Sequence, residues 1–214
     1  MRTIRELDAS EVRVLGALME KEQATPDHYP MTINALIAAC NQKSNREPVT
    51  ELSETQVVEA LDRLRKDVLA WRSDGARVER WSQSISRRLG LNTPSKAILT
   101  LLMLRGPQTP GQLRSRSGRL YAFSELAEVE ATLREMAAGD TPLAVALERQ
   151  PGTKEIRWAH RLGPEPARDF ASSTTVPPPQ PSTDPGLSER LEAVERRVEE
   201  LARELASLQE ELGS

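Results

Sequence analysis

The sequence predicts a mainly α-helical α+β fold with small β-hairpins: two tandem winged-helix domains and a C-terminal coiled-coil helix. Three observations lead there. The order of three helices and a hairpin occurs twice, capping residues stand ahead of the apolar runs, and a heptad pattern fills residues 187–214. The implied boundaries are 1–90 and 91–162 for the domains, 163–186 for a linker and 187–214 for an oligomerisation helix.

In the first domain, Asp8 and Glu11 have capping-box spacing, and Leu7 with Val12 forms a hydrophobic staple. Val14, Leu15, Leu18 and Met19 then recur at helical spacing as a buried stripe. Thr32 caps a second helix containing Leu36 and Ile37, and the polar run 41–46 ends it, because such residues favour turns. Ser53 with Gln56 opens a third helix whose Val57, Leu61, Leu64 and Val68 share one face. Residues 69–71 and 78–81, joined through the Asp74-Gly75 turn, read as a hairpin.

The order then repeats. Thr93-Pro94 starts a helix carrying Ile98, Leu99, Leu102 and Met103, and Gly106-Pro107 stops it. Thr109, Pro110 and Gln112 open a short basic helix bearing Arg114 and Arg116, with Arg119 just beyond. Ser124 caps a third helix built on Val129, Leu133 and Met136, and residues 143–147 and 156–158 around Pro151-Gly152 form a second hairpin. Proline, serine and threonine dominate the linker, which predicts an extended or disordered segment. Beyond it, Leu187, Leu191, Val194, Val198, Leu201, Leu205, Leu208 and Leu212 alternate steps of four and three, a coiled-coil seam. A homo-oligomer is expected, a parallel homodimer first, with a trimer, a partner coiled coil or a single helix left open.

With 38% hydrophobic but only 3% aromatic residues, the core must be aliphatic. Residues 163–214 carry five arginines and eleven acids, whereas residues 1–162 carry 24 lysines and arginines against 21 acids. The folded part is therefore mildly basic, short of the strong field of a dedicated nucleic-acid binder. A single cysteine, Cys40, excludes an intrachain disulfide and fits a reducing compartment. No apolar run reaches the roughly 18 residues of a membrane span, and the N-terminus is too polar for a signal peptide. A soluble cytoplasmic protein without a membrane partner is expected.

An enzyme is not expected. His28 and His160 are the only histidines, both far in sequence from Cys40, and neither metal-ligand spacing nor a P-loop occurs, so no cofactor or metal is implied. Cys40 reads as a small buried hydrophobe. Double-stranded DNA is the sharper partner: in a winged helix the third helix enters the major groove and the hairpin touches phosphate. Contact candidates are Arg63, Lys66, Arg77 and Arg80 in the first domain, which is the favoured contact surface. Lys43 and Arg46 in its polar turn, and Arg114, Arg116 and Arg119 in the second domain, complete the set. The second-domain arginines have an alternative role, pairing with Glu125, Glu128, Glu130 and Glu135 of the helix that follows, and the polar turn has one too, satisfying its own backbone. The rival class is a protein–protein interaction module without nucleic acid. Trp71, Trp81 and Trp158 fall on hairpin strands, where core or half-buried packing is expected of each.

The phrases TPDHYPMTINALIAACNQKSNREPV, SETQVVEALDRL, LLMLRGPQTPGQLRSRSGRLYAFSELAEVEATL and ERQPGTKEIRWAH together resemble the YceH-like family of uncharacterised bacterial proteins. The resemblance covers about residues 8–162. It implies a tandem winged-helix fold in a bacterial cytoplasmic protein and carries no established biochemical activity with it.

Overall fold

The computed structural model describes residues 4–73, 78–149 and 155–164. Arg77, both hairpin turns and the heptad seam from Leu187 to Leu212 lie outside the described residues. The first half of the fold comprises α1 (Ala9–Ala24), α2 (Ile33–Cys40), α3 (Glu54–Lys66), β1 (Ala70–Ser73) and β2 (Arg80–Gln83). A short helix, α4 (Ile85–Leu89), which the sequence does not announce, leads into the second half. That half contains α5 (Thr93–Arg105), α6 (Pro110–Arg116), α7 (Leu126–Ala137), β3 (Ala144–Ala146) and β4 (Trp158–His160). Among the described residues each half has one two-stranded antiparallel sheet, with Trp71 opposite Ser82 and Val145 opposite Ala159. The coarse expectation, helices with small antiparallel hairpins, matches this α+β arrangement.

The two halves repeat one another in detail. Met31 pairs its backbone with Trp81, and Gln108 does the same with Trp158, so that both partners recur 77 residues later (31 to 108, 81 to 158). Thr32 and Thr109, one residue further on, each cap the next helix through the side-chain oxygen. Reciprocal capping boxes occur at Asp8/Glu11, Ser53/Gln56 and Thr109/Gln112. Such a cap satisfies N–H groups that the helix itself leaves unbonded, for about 1 kcal/mol.

Helix α5 starts at Thr93-Pro94 as expected, with Asn92 as its cap, the side chain accepting from the Ser95 amide. Two expectations need correction. Ser124 does not cap α7; it donates its N–H and Oγ–H to the Glu128 carboxylate, and Glu125 takes the cap position. Val68 is not on the buried face of α3: the helix ends at Lys66, and Val68 turns outward at φ 58°, 58% exposed. There the Val68 amide donates to Arg65 and the Leu69 amide to Leu64, which is the Schellman pattern, with valine where glycine is usual.

The halves share one aliphatic core. Both α1 and α5 are buried around most of their circumference through the middle, since each is covered by its own half and by the other helix. They come close at Gly16: a Cβ there would lie 3.0 Å from Leu104 Cδ2 and 3.2 Å from Met103 Cβ. A second tie joins the ends of this unit, where the Leu7 amide donates to the Leu162 carbonyl at 2.8 Å. Beside it the fully buried Glu11 carboxylate accepts from Arg5 (2.5 and 2.9 Å), Arg63 (3.1 Å) and the Asp8 amide (2.9 Å). Burial works to raise its pKa, but the Arg5 guanidinium and the Asp8 amide outweigh that and hold the carboxyl below its ordinary range. Among the described residues no helix is long and apolar enough to cross a membrane.

A β-branched residue in the left-handed region costs on the order of 1–2 kcal/mol, and Val68 has little packing to lose. Val68→Gly is therefore expected to stabilise the fold by about 1 kcal/mol in urea denaturation. Unchanged or lower stability would show that the valine is held there by contacts worth more than the strain.

Candidate functional site

The segment between α2 and α3 is fixed by its own polar residues. Asn41 exchanges two hydrogen bonds with the Leu52 backbone, 2.8 and 2.9 Å, closing the loop. Arg46 points inward with a fully buried side chain. Its guanidinium donates to Glu20 at 2.6 and 3.1 Å and to the carbonyls of Ala39 and Asn45. Arg46, expected as a phosphate contact, is thus a structural ion pair with no face toward solvent. Next to it the Glu47 amide donates to the Leu104 carbonyl at 2.9 Å, and Asn45, at φ 61°, offers Oδ1 to Arg105. The loop of the first half is thereby pinned to the end of α5 in the second.

In the second half, the counterpart is the turn after α6, and it is braced by Gln108 from the turn between α5 and α6. Gly106 ends α5 at φ 66°, ψ −157°, a conformation essentially confined to glycine. Gln108 is buried; its Nε2 donates to the Leu101 carbonyl at 3.1 Å, and its Oε1 accepts from Arg116 at 2.9 Å. The turn after α6 then folds back on Ser117, whose carbonyl accepts from the amides of Leu120 and Tyr121.

These two turns face each other across a cleft of about 880 Å³. Lys21, Lys43, Arg105, Arg116 and Arg119 line it, and among the described residues Glu20 is the only carboxylate on its walls. Glu20 is already engaged by Arg46, with Lys21 at 3.9 Å. Arg105 and Arg116 are held by the neutral amide oxygens of Asn45 and Gln108, which position a guanidinium without cancelling its charge. Burial and then the neighbouring Arg116 charge push the Arg105 pKa down, outweighing the opposite pull of Glu20 and Glu47.

Cations elsewhere are occupied differently. On α3, Arg63 bonds Asp8 (2.7 Å) and Glu11 (3.1 Å) and Arg65 lies 3.8 Å from Asp62, while Glu54 and Glu59 stand exposed. Lys66 is exposed on the same helix. At the first hairpin, Arg72 pairs with Glu79 at 3.0 Å and Arg80 donates to the Pro30 carbonyl at 2.9 Å. Arg114 donates to the Ser124 carbonyl and Arg116 to Gln108, so neither takes up the alternative role of pairing with the acids of the following helix. Tyr121 and Ser124 take Glu128 instead.

Of the contact candidates, the structure therefore brings together Lys43, Arg116 and Arg119, places Arg46 behind their wall, and leaves Arg63, Lys66, Arg80 and Arg114 elsewhere. Sequence reasoning missed Lys21 and Arg105. Each stands in the last turn of a long helix, where the helix dipole favours a cation. Of the tryptophans, Trp81 is 3% exposed as expected, Trp158 packs partly buried against the core, and Trp71 is 62% exposed, contrary to expectation. Burial pushes the Cys40 thiol up to about 12, so it remains protonated.

Arg46→Ala would strand Glu20 and two backbone carbonyls, and a loss of about 3–5 kcal/mol in urea denaturation is expected. Lys43→Ala and Arg119→Ala should each change stability by under about 0.5 kcal/mol. A small loss at Arg46, or a large one at Lys43 or Arg119, would reverse this division between structural and surface cations.

Residues 7–153 match the family model described as "Protein of unknown function, DUF480". A UPF0502 protein of Acidovorax sp. (strain JS42) is 42% identical over 214 residues, covering 98% of this chain and 95% of the relative. A UPF0502 protein of Geobacter sulfurreducens is 46% identical over 203 residues, covering 94% and 90%, and one of Chromobacterium violaceum is 44% identical over 209 residues, covering 97% and 92%. The chain belongs to the DUF480/UPF0502 family of bacterial proteins.

Proposed function

We propose that this chain is a nucleic-acid-binding, transcription-associated protein built from two winged-helix units, residues 1–90 and 91–162. Its contact with the phosphate backbone is the cleft between them. One observation carries the reading: cations from the turns of both halves converge on one cleft whose single carboxylate is already engaged. This moves the contact away from the third helix of the first unit, where Arg63 is consumed by Asp8 and Glu11 and the exposed face carries Glu54 and Glu59. Carboxylates on that face would meet phosphate with repulsion, whereas the cleft would release counter-ions from the backbone. In this reading the heptad seam from Leu187 onward pairs two chains, so that two clefts engage one nucleic acid. The second reading, a protein-docking module, has Trp71 in its favour, a large aromatic side chain left 62% exposed on β1.

Fluorescence anisotropy of labelled duplex DNA across a salt series tests the proposal. Binding should weaken with salt, and replacing Lys43 and Arg119 together by alanine should flatten the log–log slope by about 0.9 for each phosphate that is no longer neutralised. Lys66→Ala should leave the slope unchanged. Absence of binding at low salt, or a slope indifferent to the cleft substitutions, would overturn the nucleic-acid reading; loss of binding through Lys66 alone would return the contact to the third helix.

A further inference from the structure

We infer that the cleft is also the site of a compact polyphosphate ligand of nucleotide size, which competes with nucleic-acid backbone for Lys43, Arg105, Arg116 and Arg119. The inference rests on the cleft being a phosphate site. It adds the size, charge and selectivity of an effector. The volume of about 880 Å³ lies within the range of roughly 300–1,000 Å³ typical of small-ligand pockets. Its walls belong to one packed core and are cross-linked by the Glu47–Leu104 and Arg105–Asn45 hydrogen bonds, so the shape exists before any ligand arrives. A preformed site spends little binding energy on ordering itself.

Charge sets the class of ligand. Five cations face one carboxylate, and because that carboxylate is already paired with a buried arginine, the cleft holds a surplus of about five positive charges. A single phosphate monoester carries about two negative charges and leaves more than half of the surplus uncompensated. A triphosphate chain comes much nearer to it. The crowding of Arg105 against Arg116 is relieved when an anion sits between them, which adds an attraction that a neutral ligand cannot use.

The lining also determines what is not selected. Among the described residues no aromatic side chain lines the cleft, whose apolar wall consists of Leu101, Leu104, Leu120 and Ala24. A base has no ring to stack on, so the phosphates supply the affinity and base identity matters little. Nucleoside triphosphates and inorganic tripolyphosphate should therefore bind alike.

Isothermal titration of the full chain with inorganic tripolyphosphate, ATP, GTP and AMP at fixed ionic strength tests this. Tripolyphosphate, ATP and GTP are expected within about threefold of one another, with AMP weaker by about tenfold or more. Lys43→Ala with Arg119→Ala should weaken tripolyphosphate by about tenfold or more while the circular dichroism spectrum and melting temperature stay unchanged; Arg114→Ala, outside the cleft, should have no effect. Labelled oligonucleotide bound to the wild type should be displaced by tripolyphosphate but not by sulfate at matched ionic strength. If oligonucleotide binds and tripolyphosphate neither binds nor displaces it, the inference falls and the nucleic-acid reading stands. If tripolyphosphate binds through the cleft and no oligonucleotide binds at low salt, the nucleic-acid reading falls and the effector site stands. Tripolyphosphate affinity unchanged in the double variant overturns the location, and selective binding of one nucleotide overturns the claim of base indifference.

Discussion

The close approach of α1 to α5 at Gly16 is the constraint on which the rest depends. With no side chain at this position, Leu104 and Met103 rest directly on the first helix, and the two halves bury a common core instead of two separate ones. Leu104 then does a second job, since its carbonyl accepts the Glu47 amide and anchors the loop that carries Lys43. A helix contact deep in the core thus decides where a surface turn stands. Because the second half repeats the first, the same contact sets one turn opposite its counterpart, and the cleft is the space left between them.

Electrostatics divides the arginines and lysines into two populations. Arg5, Arg46 and Arg63 meet carboxylates and hold elements together: the N-terminal segment, α1, α3 and the loop after α2. Arg105 and Arg116 meet amide oxygens, which orient them and leave their charge standing. A fold has no stability reason to gather uncompensated like charges on one cleft, because their repulsion opposes folding. Sites that receive an anion do have such a reason. This contrast, more than the number of basic residues, supports reading the cleft as functional.

Much of the fold was legible in the sequence, since caps and apolar spacing are local. Asp8, Thr32, Ser53 and Thr109 each announce a helix start through a side chain that bonds an amide two or three residues away, and all four do so in the structure. Where local signals competed, the sequence misled. Val68 continues the apolar spacing of α3, but the chain must reverse into β1 there, and the turn takes precedence over the pattern. The site was less legible. Lys43 and Arg46 stand three residues apart in one polar run, and only the position of Glu20, from another helix, makes one structural and the other exposed. Lys21 and Arg105 looked like ordinary helix-ending cations, because the cleft that joins them is made by tertiary packing.

Hydrogen–deuterium exchange, with and without a saturating single- or double-stranded oligonucleotide, tests the central claim most directly. If the turns of both halves form one phosphate site, amides of residues 42–45 and 116–120 will gain protection together, while α3 from Glu54 to Lys66 stays unchanged. Protection of α3 and its hairpin with both turns unaffected would contradict it.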